Sequence, residues 1–99
     1  MKTITDTIIT LNRPGAQKPE DLPLSQLLRD IASSQTERGL PLPEQRKRYR
    51  LLDAIDAMSD GKMSFEDSDH ALLVQLTESM PWSWVDRAWA AVADAVSGA

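Results

Sequence analysis

Residues 44–80 read EQRKRYRLLDAIDAM, SDGKMS, FEDSDHALLVQLTESM, and the reading of this stretch as helix, tight turn, helix decides the fold. Pro43 suits a first helical position because its φ is already fixed, and Glu44 lies in the first turn. Leu51, Leu52, Ile55 and Met58, preceded by Tyr49, repeat at the helical period and define one apolar face. Glu44 with Arg48, and Arg50 with Asp53, are spaced as ion pairs along that helix. Asp60-Gly61 ends it, since glycine takes positive φ at no steric cost. Ser64 and Asp67 resemble a capping box with Asp in the place of Glu or Gln. Glu66, Asp67 and Asp69 then fall in the first turn of the second helix, where its dipole favours anions. Leu72, Leu73 and Leu76 form its buried stripe, with Phe65 and Met80 near the ends.

Outward from this unit, residues 2–11, KTITDTIITL, are rich in β-branched side chains and predict a strand. Ile8 and Ile9 are adjacent and spoil the alternation, so the segment is one long strand or a hairpin bent near Asp6. Its partner is not evident; Lys62–Phe65 is the only other strand-like run. Three pairings stay open: an intramolecular ribbon, a symmetry mate in a dimer, or the sheet of another protein. Residues 12–20, NRPGAQKPE, carry the turn signal Arg13-Pro14-Gly15 and an extended Pro19. This divides the chain into residues 1–20, a strand and loop free to act as an arm, and a single helical domain over 21–99.

Residues 21–38 predict a helix with Asp21 as N-cap, Pro23 in the first turn and Gly39 as the C′ residue. Leu24, Leu27, Leu28 and Ile31 give its i, i+3, i+4, i+7 stripe. The polar run Ser33-Ser34-Gln35-Thr36 frays its end, and Leu40-Pro41-Leu42-Pro43 is a stiff connector. Pro81 stops the preceding helix. Ser83 and Asp86 form another box-like start for a last helix over 84–96, with Val85, Trp89, Val92 and Val96 on one face, flanked by Ala88 and Ala95. The fold class expected is α+β, mostly α: an N-terminal strand or arm followed by about four short helices around a central helical hairpin.

Composition narrows the function classes. Ninety-nine residues make one domain with a thin core. The sequence has no cysteine, which excludes disulfides, thiolate catalysis and cysteine-based zinc sites and fits a reducing cytosol. No stretch resembles a signal peptide or is apolar enough to cross a bilayer. The net charge of −4 argues against general nucleic-acid binding. It is unevenly spread: residues 1–50 carry nine Lys or Arg against six acids, and residues 51–99 carry Lys62 and Arg87 against nine acids.

Four clusters are candidates for function. Trp82, Trp84 and Trp89 lie within eight residues. Trp89 belongs to the core on this spacing, but Trp82 and Trp84 flank Ser83 and diverge, which makes an aromatic corner beside a proline turn, suited to anchor a partner. Ile4, Ile8 and Ile9 are the matching contacts on the N-terminal strand, and the same two surfaces make a homo-oligomer plausible. Arg46, Lys47, Arg48 and Arg50 around Tyr49 are suited to grip phosphates and stack a base, although the acidic start of the second helix is wrong for a recognition helix. Asp56–Asp67 overlays a calcium loop through Asp56, Asp60, Gly61, Met63, Ser64 and Asp67; Met58 at the third position and the short Asp67 at the twelfth spoil it. His70, near Asp67 and Asp69, lacks a second donor or a nucleophile, and reads as a surface histidine. No P-loop, dinucleotide fingerprint or triad is present. These readings make the chain non-enzymatic, without a cofactor, and a protein-binding protein, with a small nucleic-acid-binding regulator as the alternative.

LLDAIDAMSDGKMSFEDSDHALL at 51–73 and the Trp-rich segment at 81–96 resemble small accessory proteins of tailed bacteriophages and prophages. The resemblance implies a bacterial cytoplasm and a role in assembly, or in modulating a phage or host protein.

Overall fold

A computed structural model describes residues 1–34 and 38–99. The order of elements is β1 (Lys2–Thr5), β2 (Ile8–Leu11), β3 (Glu20–Pro23), α1 (Leu24–Ala32), α2 (Leu42–Asp56), β4 (Lys62–Phe65), α3 (Asp67–Ser79) and α4 (Arg87–Ser97). The fold is α+β and mostly α, with two antiparallel two-stranded ribbons, β1–β4 and β2–β3, among the described residues.

The N-terminal segment is two strands, bent at Asp6-Thr7, and both pair within the chain. In β1–β4, Ile4 faces Met63; in β2–β3, Ile9 faces Leu22 and Leu11 faces Glu20. The adjacent Ile8-Ile9 marks the bend. Side chains alternate faces along a strand, and the bend shifts the core-facing parity from even, at Ile4, to odd, at Ile9 and Leu11. The hairpin from β2 to β3 turns at residues 13–16, where Ala16 N–H donates to the Arg13 carbonyl (3.1 Å). Pro14 occupies the second position and Gly15 the third at φ +83, the arrangement a type II turn requires.

The bend also starts α1. Pro23 precedes this helix and supplies no side-chain cap. The Asp6 carboxylate does so from the bend, accepting from Ser25 N–H (2.9 Å) and Ser25 Oγ (3.0 Å). Thr7 carbonyl takes the Leu24 N–H at 2.7 Å. At the other end, Arg48 donates to the carbonyls of Ile31 (3.3 Å) and Ala32 (3.1 Å). A helix of nine residues is too short to stand alone, and here both ends are satisfied by other elements. Leu24, Leu27, Leu28 and Ile31 are buried, as their spacing predicts.

Several boundaries differ from the sequence reading. Asp21 belongs to β3 and bonds Thr10 Oγ1; it caps nothing, because the chain is still extended there. α1 stops at Ala32 with Ser33 as C-cap, so Gly39 is not its C′ residue; Gln35 and Thr36 lie outside the described residues. α2 ends at Asp56 with Ala57 as C-cap. Asp60-Gly61 therefore does not end the helix. With φ of 53 and 72 these two form the centre of a tight turn closed by Ser59–Lys62 hydrogen bonds of 3.1 and 3.0 Å. Positive φ at both central residues is the type I′ geometry that leads into a strand. Helix, turn, helix thus becomes helix, turn, β4, helix: Ser64 lies in β4, and Glu66 precedes α3 without a side-chain cap. Arg50 pairs with Asp69 rather than Asp53, and Glu44 pairs with Lys47 rather than Arg48. α4 starts at Arg87 with Asp86 as N-cap, so Ser83, Trp84 and Val85 precede the helix.

One core gathers every element. Ile4, Ile9 and Leu11 meet Leu28, Leu51, Ile55, Met63, Phe65, Leu73, Val92 and Val96. On α3 the buried face is His70, Leu73 and Thr77, with Leu72 and Leu76 half-buried beside it. Thr77 Oγ1 donates back to the Leu73 carbonyl at 2.7 Å. No helix among the described residues is long and apolar enough to cross a membrane.

Candidate functional site

The segment between α3 and α4 runs Met80-Pro81-Trp82-Ser83-Trp84-Val85-Asp86 and builds a corner from all of the chain's tryptophans. Trp82 lies flat on Trp89, with centroids 3.8 Å apart and planes 3° from parallel. Trp84 meets Trp89 edge-on at 5.0 Å and 61°. The edge-on contact is a preferred aromatic geometry, and the Trp82 stack is a close face-to-face one. Trp89 is therefore the middle ring of three. It is half-buried at the rim of the core, with Trp82 stacked on one face. Its Nε1–H donates to the Trp84 carbonyl at 2.9 Å. The Arg13 guanidinium stands over Trp84, 5.2 Å from the ring centroid, within cation–π range.

Asp86 fixes this corner. One carboxylate oxygen caps α4 by accepting Ala88 N–H (3.0 Å); the other accepts Asn12 N–H (2.7 Å) and Trp84 Nε1–H (3.1 Å). A single side chain thus ties the end of β2, the Trp84 indole and the first turn of α4. The Ala88 and Asn12 backbone N–H groups, and to a lesser extent the Trp84 indole, hold the Asp86 carboxyl below the usual carboxylate range. Hydrogen bonds of this kind favour the ionised acid.

The sign of the pH dependence follows. A depressed carboxyl contributes stability that is complete above its unfolded value, about pH 4, and is lost as pH falls through the folded value. Tryptophan emission should change as the pH drops below about 4, and Asp86→Asn should lack that component. Matching acid titrations of the two proteins would contradict the assignment.

The other candidate residues are not brought together. Ile4 and Ile9 are 2% and 8% exposed, so they are core residues and not the partner contacts their sequence suggests; the bend turns both inward. Ile8, at 64%, faces solvent. Within the basic segment, Lys47 pairs with Glu44, Arg48 is spent on the α1 carbonyls, and Arg50 is held by Asp69 through bonds of 3.0 and 3.2 Å. Arg46 and Tyr49 remain on the surface, and the Tyr49 hydroxyl donates to Gln45 at 2.9 Å. The four cations do not make a common phosphate track. Asp56 and Asp67 are drawn to Arg29 and the Met1 ammonium. The ammonium beside it lowers the Asp67 carboxyl from its ordinary value. Asp60 sits in the turn, and among the described residues no three metal-binding side chains converge.

His70 is buried, not a surface residue as its acidic neighbours suggest. Its Nε2 lies 2.8 Å from the Val96 carbonyl; a carbonyl only accepts, so Nε2 carries the proton and ties α3 to α4. A cleft of about 360 Å3 lies beside α2, walled in part by Ala32, Leu40, Arg48 and Leu52. Its polar side chains Arg48 and Gln45 already bond main-chain carbonyls.

Val85 is also placed differently from what its sequence spacing predicts. Assigned to the buried face of the last helix, it is instead fully exposed, at 102%, because the helix begins two residues later. Asp86, directly before Arg87-Ala88-Trp89, is as good an N-cap residue as Ser83, and its bonds to Asn12 and Ala88 decide between the two starts. No family model, curated protein or solved structure matches the chain.

Proposed function

We propose that the chain is a non-enzymatic protein-interaction protein that docks on a larger partner through the tryptophan corner, as an assembly or modulating factor. The observation that carries this reading is the complete exposure of Val85, an apolar side chain flanked by half-buried indoles on a segment held by Asp86. Exposed apolar groups held in a fixed geometry lose little entropy on binding, and tryptophan is enriched among residues that dominate interfaces. Arg13 beside Trp84 gives the rim a cation. The resemblance of residues 51–73 and 81–96 to phage accessory proteins supports a phage or host protein as the partner.

Burying a valine from full exposure is worth about 1.5 kcal/mol or more, roughly tenfold in affinity. Tagged wild-type and Val85→Asp chains used as bait in nuclease-treated lysate of the source cell should differ. The wild type should retain a stoichiometric protein that Val85→Asp loses, while both melt at the same temperature. Equal retention by the two baits would remove the corner from the interface. A protein retained in a parallel untreated lysate but not in the nuclease-treated one would move the reading to nucleic acid.

A further inference from the structure

The outer face of α2 is the strip opposite Leu51 and Ile55. At about 100° per residue, Leu42, Arg46, Tyr49 and Asp53 fall within roughly 60° of one another. Leu42 is 51% exposed and Tyr49 48%, and Met58, just past the helix end, is 37% exposed. Neither Arg46 nor Asp53 has an ion-pair partner among the described residues. Every other cation of this helix is engaged: Lys47 by Glu44, Arg48 by carbonyls, Arg50 by Asp69.

The order of these residues is self-complementary. A two-fold axis across the helix between positions 49 and 50 runs a second α2 antiparallel to the first. Arg46 and Asp53 lie about 5 Å on either side of that axis at a rise of 1.5 Å per residue. Arg46 of each copy then faces Asp53 of the other, and both Tyr49 rings meet near the axis. Leu42 of each copy then lies level with Ala57, just past the end of the other helix. An isologous interface demands this reciprocity, in which residue i meets j and j meets i.

We infer that the outer face of α2 docks on the same face of a second copy of this chain, forming an antiparallel helix pair. The two Arg46–Asp53 pairs set the register and Tyr49 fills the centre. The surface is separate from the tryptophan corner and leaves the corner open on both copies. A single helix pair covers less than the ~1,200 Å² of a standard interface, which gives a dimer of micromolar strength or weaker.

Sedimentation velocity at low salt, over concentrations from micromolar to millimolar, tests this. The wild type should pass from the 11.0 kDa chain mass to twice that mass. Arg46→Asp alone, or Asp53→Arg alone, sets like charges opposite each other on both sides of the axis. Each should weaken dimerisation at least about tenfold, and the double exchange should restore it. Both side chains lie outside the core, and melting curves of the variants check that the fold is kept. A wild type that stays at the chain mass throughout would overturn the inference. So would single variants that dimerise like the wild type, or a double exchange as weak as either single change.

Discussion

Ile4→Ala should lower the unfolding free energy by about 2–5 kcal/mol, while Ile8→Ala should change it by less than about 0.5 kcal/mol. The two residues are four positions apart on the same N-terminal segment, yet Ile4 is 2% exposed and Ile8 64%. Ile4 packs in the core opposite Met63 of β4, so truncating it leaves a cavity between the ribbon and the helices. A domain of this size has about 5–15 kcal/mol in total, which makes the first change severe. Urea titrations of the two variants separate the outcomes. Equal small effects would mean that β1 is a peripheral arm.

The second large effect belongs to Trp89→Ala. The change removes the ring on which Trp82 stacks and against which Trp84 sits, and also a donor to the Trp84 carbonyl. Complete burial of such a side chain is worth about 3–5 kcal/mol, and each aromatic pair adds about 0.5–1.5 kcal/mol. Trp89 is only half-buried, so about 2–3 kcal/mol is expected on that scale. The near-ultraviolet circular dichroism of the two remaining indoles should collapse with it. Val85→Asp, by contrast, should leave stability and that signal unchanged. A Trp89→Ala protein with wild-type stability and an intact aromatic signal would show that the three rings do not support one another.

The stripe of α1 and the Val92–Val96 half of the α4 stripe are legible in the sequence, because leucine and valine at helical spacing bury one face of a helix. The two ribbons are not. β3 is Glu-Asp-Leu-Pro, a composition with no strand propensity; it is extended because β2 lies beside it and Pro23 ends it. Asp60-Gly61 suits a helix stop as well as a hairpin turn, because a C-cap and a type I′ turn both call for positive φ. Only the tertiary pairing of Lys62–Phe65 with Lys2–Thr5 separates the two. Arg48, Arg50 and Asp6 each act on a distant element, which local spacing cannot reveal. The aromatic corner was visible as composition, three tryptophans within eight residues. Its arrangement, with Trp89 in the middle and Val85 outermost, depends on Asp86 bonding Asn12 across 74 positions of sequence.

All the tryptophans of the chain lie in that corner, so they report on it alone. The chain would be labelled with fluorotryptophan, and the protein captured from lysate titrated into it while the fluorine resonances are followed. If the corner is the docking surface, the Trp82 and Trp84 resonances, assigned by substitution, shift in proportion to bound partner and lose their response to solvent. Binding that leaves all of these resonances in place would contradict the account and move the partner to another face.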